Sequence, residues 1–326
     1  MRAAWYDRQG PAVQVLQVGD IADPQPGRDE VRVRVRFSGL NPGDTKKRRG
    51  WLGSTMPFPR VIPHSDGAGV IDAVGEGVHQ SRVGSRVWVF GAQSYRPFGT
   101  AAQLTVVPSD HAVDLPDDVT DEVGACLGIP GITAHRAVFA DGRVDGLTVL
   151  VHGVLGGVGA LAAQLARWGG ATVIGTVRRH GDLDQVNPTI ATHTVALDDP
   201  DPAATIRAVA NGGVDRIVEV DFAANVDLDA AVAKVGAVIA AYATSRDRPD
   251  LPFWPMLFDN ITIRLCGSDD FPADAKLRAA ADLTEAARAG ALSVAVGTPV
   301  PLEAISQAHD RVDAGSRDRI LLSLAD

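Results

Sequence analysis

The sequence predicts an α/β protein in which a β-rich domain is joined to a doubly wound parallel sheet. Residues 147–177 read strand, glycine-rich turn, helix, strand. Ahead of them, the first 120 residues read as short strands divided by glycine-rich turns. The length of 326 residues points to two domains rather than one.

The strand signals come first in the chain. Residues 31–37, VRVRVRF, alternate strictly, as a strand with one buried face does, and this turns the arginines to solvent. Residues 67–74, 86–90 and 101–107 are further short strands, so a compact, partly open barrel is expected. From about residue 121 helices and strands alternate: helix 122–139, strand 147–151, helix 158–167, strand 172–177, then strands 216–220, 235–241 and 260–266. Residues 185–201, with Asn187-Pro188 and Pro200-Asp201-Pro202, are expected to be loops. Residues 273–289 form an amphipathic helix. A helix over 302–314 and a strand over 320–324 are expected to rejoin the first domain, leaving a cleft between the two. The expected domains are 1–123 with 268–326, and 124–267.

Composition excludes several functions. The net charge of −9 argues against general nucleic-acid binding, which needs a basic face. The run Lys46-Lys47-Arg48-Arg49 reads as a solvated face. Two cysteines, Cys126 and Cys266, make neither a disulfide framework nor a cysteine-rich metal site. No signal peptide or membrane span is visible, so a soluble cytoplasmic protein is the expectation.

The glycine turn carries the functional signal. Gly153, Gly156, Gly157 and Gly159 lie between a strand and a helix N-terminus, where backbone N–H groups meet a pyrophosphate. The residue closing the second strand meets the adenosine ribose. Arg178 and Arg179 stand there, where an acidic residue would select NAD, and they suit a 2′-phosphate. The cofactor read from these residues is NADP(H).

Several motifs together carry a resemblance: GLNPGDT at 39–45, PHSDGAGV at 63–70, GIPGITA at 128–134, VHGVLGGVG at 151–159, PLEAI at 301–305 and ILL at 320–322. With these the whole chain resembles the medium-chain dehydrogenase/reductase superfamily, in its zinc-free quinone oxidoreductase branch related to zeta-crystallin. The resemblance implies a GroES-like barrel, a Rossmann domain, NADPH as hydride donor, and a homodimer joined through the strand at 260–266. Where the zinc-dependent branch has ligands, this chain has Asn41 and Ser65, and the four-cysteine lobe is missing, so no metal is expected. Without a Lewis acid, the expected acceptor is already electron-poor: a quinone or, alternatively, an enone or enoyl thioester. A reading of another class is an NADPH-binding protein with little turnover.

The resemblance also implies site residues. Asn41 lies near the nicotinamide, or is a turn residue before Pro42; Asp44 caps the helix that follows. Lys46, in place of a common tyrosine, donates to a developing oxyanion or belongs to the solvated run, and charge runs favour the latter. Thr133 contacts cofactor or bonds its own backbone. Tyr242 stands at the carboxyl end of a strand, where ligands bind. Pro130, Val158, Thr176, Arg317 and Arg319 join the cofactor set, one arginine reaching a phosphate. Trp51, His64, Phe253 and Trp254 are candidate pocket walls, or else core and edge packing.

Overall fold

The computed structural model describes residues 1–324 and has two compact units. One holds Met1–Pro130, Ala280–Arg288 and the chain from Val294 on; the other holds Gly131–Ala279 and Ala289–Ser293. The expected divisions at 123/124 and 267/268 thus fall at 130/131 and within the long helix over 273–288.

The first unit is built on antiparallel pairing. Its elements are β1 (Arg2–Trp5), α1 (Ala12–Val15), β2 (Gln17–Asp20), β3 (Glu30–Gly39), α2 (Pro42–Arg49), β4 (Asp66–Val74), β5 (Arg86–Val89), β6 (Leu104–Pro108), β7 (Ala112–Asp114) and α3 (Asp121–Gly124). The sheet runs β14-β15-β3-β4-β5-β7, with β6 on β3; β14 (Val300–Pro301) and β15 (Leu321–Ser323) come from the tail. So the tail rejoins this unit, through β15 on β3. Strand β3 shows why. Val31, Val33 and Val35 are buried, and each such burial stabilises by roughly 1.5–3 kcal/mol. Arg32, Arg34 and Arg36 turn the other way, onto carboxylates: Arg32 and Arg34 pair with Asp72 at 2.8 and 3.1 Å, and Arg36 with Asp121 at 2.7 Å.

The second unit is a six-stranded parallel sheet, β10-β9-β8-β11-β12-β13. After α4 (Ile129–Phe139) come β8 (Thr148–Val151), α5 (Gly157–Trp168), β9 (Thr172–Val177), β10 (His193–Ala196), α6 (Pro202–Val209), β11 (Val214–Glu219), α7 (Phe222–Val232), β12 (Ala233–Ala241), α8 (Phe253–Phe258) and β13 (Thr262–Leu265). Helices α9 (Ala273–Arg288) and α10 (Ile305–Asp313) complete the chain. Val149, Leu150 and Val151 are fully buried, because a central parallel strand is covered on both faces.

Two expectations are corrected. The loop expected over 185–201 contains β10, a four-residue strand on the sheet edge. The helix expected over 122–139 is broken between α3 and α4. A Cβ at Gly128 would lie 2.1 Å from Asp66 Oδ1, and that carboxylate accepts the Ile129 N–H at 2.8 Å, so the chain bends around it. Pro130 sits in the first turn of α4, where its missing N–H costs nothing.

Candidate functional site

The glycine turn of the second unit fits a pyrophosphate. Gly153 has φ +70°, which favours glycine. Its carbonyl accepts the Gly156 N–H at 2.8 Å, and a Cβ at Gly159 would lie 2.3 Å from it, so only glycine lets α5 approach β8 this closely. Gly157 faces open space, with nothing within 4 Å of where its Cβ would be. Gly156 is the N-cap of α5 and brings no side chain to the first-turn N–H groups. Val158 follows within that first turn. The turn therefore leaves room and donors for an anion.

Arg178 and Arg179 are exposed directly after β9, and among the described residues neither side chain has a hydrogen-bond or ion-pair partner. Next to them His180 is held by Asp198 and Asp199. Tyr242 follows β12 and is partly buried; burial and then the Glu219 carboxylate push its phenol up. Thr133 is buried within α4.

Thr176 has a different place from the one expected. It is fully buried behind the turn, with Oγ1 3.0 Å from His152 Nδ1 and accepting the Gly153 N–H at 3.3 Å. It supports the turn rather than facing a ligand. His152 Nε2 lies 2.9 Å from Asp229 Oδ1 and 3.5 Å from Glu219 Oε2, all three fully buried. Burial works against charge on His152, but the Asp229 hydrogen bond and the charges of Asp229 and Glu219 raise its pKa. Burial raises Glu219 to about 7. Among the described residues this trio is the one group with metal-ligand spacing.

In the first unit Asn41 is locked in place. It is 2 % exposed; its Nδ2 donates to Asp66 Oδ2 at 2.7 Å, and its Oδ1 accepts from Arg319 Nη1 at 2.7 Å. Its backbone N–H donates to Asp44 Oδ2 at 2.7 Å, the capping contact expected of Asp44. Burial pushes Asp44 up to about 7.

Four expectations are corrected here. Arg319 reaches no phosphate: its guanidinium is buried on Leu40 O, Asn41 Oδ1 and Asp66 Oδ2. Its neighbour Arg317 is exposed. Nor is the basic run a wholly solvated face. Lys46 Nζ lies 4.6 Å from the Trp51 ring, Lys47 reaches Gln93, and Arg48 is fully buried against Gly10 O, His309 and Asp313. His64 is not an exposed wall: it is fully buried with φ +74°. Trp51, Phe253 and Trp254 are exposed rather than core, and Phe253 and Trp254 cluster with Phe258 on α8.

His64 belongs to a directed line of hydrogen bonds. Arg48 Nε donates to His309 Nδ1 at 3.3 Å, so His309 carries its proton on Nε2. That proton goes to His64 Nε2 at 3.0 Å, which leaves His64 Nδ1–H to donate to Ser38 Oγ at 2.8 Å. Ser38 then donates to Thr100 Oγ1 at 2.8 Å, and Thr100 to the Asp66 carbonyl at 2.6 Å. Both histidines are held neutral. Burial, then its neighbours' charge, drives His64 well down, and burial and Arg48 drive His309 to about 3.

Sequence reasoning missed Asp66, Arg48, His309, Glu219 and Asp229. Asp66 and His152 stand inside quoted motifs, which was a usable signal. The others meet partners far along the chain, and no local pattern marks them.

Comparison with known proteins agrees with this arrangement. Residues 27–117 match the model of the alcohol dehydrogenase GroES-like domain, and residues 157–285 that of the zinc-binding dehydrogenases. A quinone oxidoreductase from Pongo abelii is 31% identical over 319 residues, 95% of this chain and 93% of that protein. Among solved structures, an NAD-dependent alcohol dehydrogenase superposes with TM-score 0.88 at 26% identity over 100% of both chains. A mycobacterial protein solved with NADPH superposes with TM-score 0.83 at 26% identity over 99% of both.

Proposed function

Because this chain belongs to the quinone oxidoreductase family of the medium-chain dehydrogenase/reductase superfamily, an oxidoreductase family with a GroES-like and a Rossmann domain, we propose that it is an NADPH-dependent, zinc-independent reductase of quinones or similar electron-poor acceptors. The observation that carries this reading is the open glycine turn followed, at the end of the next strand, by two exposed arginines. Backbone N–H groups at the start of α5 hold the pyrophosphate, and Arg178 and Arg179 hold the 2′-phosphate. The bound cofactor supplies a hydride. The chain binds, orients and excludes water, which is enough for an acceptor that needs no Lewis-acid activation.

Zinc independence rests on the donors. Asn41 has its carbonyl on Arg319 and its amide on Asp66, and both His64 nitrogens are bonded inside the first unit. Among the described residues, no His, Cys, Asp or Glu group of metal-ligand spacing lies in this unit.

The active form is a homodimer through β13. This strand is the sheet edge, and exposed Ile263 and Leu265 on it adjoin in sequence the exposed Phe253, Trp254, Leu257 and Phe258 of α8. Sedimentation of the L265E variant tests it: a monomer is expected.

Initial rates of NADPH and NADH oxidation, with an ortho-quinone, a para-quinone, an enone and an enoyl thioester, test the function. Fast NADPH-selective turnover of a quinone is expected. Selective turnover of the enone or thioester would move the substrate class to activated alkenes, and binding without turnover would overturn the enzyme reading. Replacing Arg178 and Arg179 by Ala is expected to weaken NADPH about tenfold or more, leaving NADH unchanged, because each arginine–phosphate contact is a charge-assisted pair.

A further inference from the structure

We infer that Asp229 is a positioning residue for the cofactor turn, acting through His152 and Thr176 to fix Gly153. The inference rests on the reading of this turn as the NADPH pyrophosphate site.

The contacts run in one line from α7 to the turn. Asp229 Oδ1 accepts a hydrogen bond from His152 Nε2–H at 2.9 Å. His152 Nδ1 meets Thr176 Oγ1 at 3.0 Å, and that oxygen accepts the Gly153 N–H at 3.3 Å. Thr176 Oγ1 thus bridges His152 Nδ1 and the Gly153 N–H, so a single hydroxyl rotamer serves both contacts. All of these side chains are fully buried, so water does not compete for the contacts.

Gly153 is the point where such a hold matters. Its left-handed conformation starts the turn, its carbonyl receives Gly156, and its carbonyl sets how near Gly159 and α5 come to β8. A displacement at Gly153 moves the N-terminus of α5, and with it the donors aimed at the pyrophosphate.

Glu219 sits beside the line without joining it. Its Oε1 accepts from the Asp221 backbone and from Asn225 Nδ2, while its Oε2 has no hydrogen-bond partner among the described residues, and its charge bears on Tyr242 at the end of β12. Asp229 Oδ2 is likewise unpartnered. The two carboxylates and the imidazole have the spacing of a cation site, and Nε2 and Oδ1 at 2.9 Å are also a hydrogen bond apart, which is the contact the line uses.

Three readouts on the whole protein test this: the NADPH dissociation constant, hydrogen exchange of residues 152–160 without cofactor, and divalent metal content. T176V removes the hydroxyl and is expected to weaken NADPH about tenfold, the worth of one buried hydrogen bond. It speeds exchange in the turn, whereas T176S restores both. D229N keeps the shape without the charge and is expected to weaken NADPH about threefold, less than T176V, because an amide oxygen still accepts the His152 Nε2–H and only the charge assistance is lost. The loss appears in the KM for NADPH rather than in kcat. If T176V does not fold, D229N against T176S carries the comparison. Wild-type affinity and exchange in D229N would overturn the inference whatever T176V does, as would one equivalent of a divalent metal in the purified protein. The exchange readout stands even if the wild type binds no NADPH, so it fails separately from the cofactor reading.

Discussion

Two buried histidine clusters, one in each unit, are driven in opposite directions. In the first, His64 and His309 face Arg48 and each other, and both are held neutral. In the second, His152 is as deeply buried but faces Asp229 and Glu219, and it is pushed toward charge. Burial is equal, so the sign of the neighbours decides the protonation state. The first cluster is a brace between α2, α10 and β4; the second backs a ligand turn.

The largest test of that contrast is Arg48→Leu. It removes the head of the first line and leaves the partly exposed Asp313 to Arg49. A loss of about 2–3 kcal/mol is expected, from the hydrogen bonds of a buried charged group, read as a drop in denaturation midpoint. A variant as stable as the wild type would show that the brace contributes nothing.

Next comes D229N at the other cluster. By NMR the His152 imidazole of the wild type is expected to titrate above the ordinary 6.5. In D229N it is expected below that, with about 1–2 kcal/mol of stability lost for the charged hydrogen bond. An unchanged titration would mean that Glu219 alone holds the charge.

Acid separates the units. A histidine with a lowered folded pKa takes up its proton on unfolding, so stability falls as the pH drops below 6.5. His64 and His309 both do this. Asp44, raised to about 7, keeps a proton that the unfolded chain releases and offsets one of them. The first unit therefore loses about 1.4 kcal/mol per pH unit between pH 6.5 and 5, one net proton's worth. In the second unit, Glu219, raised to about 7, gains stability over the same window. Hydrogen exchange at pH 7 and pH 5 is expected to show protection falling in β3 and β4 but not in β8 and β11. Equal loss in both would remove the contrast.

The smallest effect separates His64 variants. At φ +74° an asparagine sits at lower cost than most residues and keeps one donor for Ser38. H64N is expected to cost about 1 kcal/mol less than H64A, the worth of one net hydrogen bond, measured by chemical denaturation.

The same contrast marks what the sequence made legible. The glycine turn was legible because its parts lie within seven residues and each has a local reason: left-handed φ at Gly153, close approach at Gly159. The alternation of β3 was legible for the same reason. His64, Arg48 and Arg319 were misplaced because their partners are remote; His309 is 261 residues from Arg48, and Asp66 is 253 from Arg319. Four arginines and lysines in a row look solvated until one of them meets a distant acid. The break at Gly128 was invisible because its cause, the Asp66 carboxylate, comes from another strand. Strand β10 is four residues long in a proline-rich stretch, where pattern alone favours a loop.

The line from Arg48 to the Asp66 carbonyl has one more consequence. Every donor in it points the same way, and a guanidinium stands at its head. Conduction of a proton by hopping needs each link to reverse after the charge has passed, and the first link can reverse only if Arg48 surrenders a proton, which arginine does not do. The line is therefore an insulator. It is a row of aligned dipoles whose positive end rests on the Asp66 backbone carbonyl, in the same residue whose carboxylate meets Asn41 and Arg319.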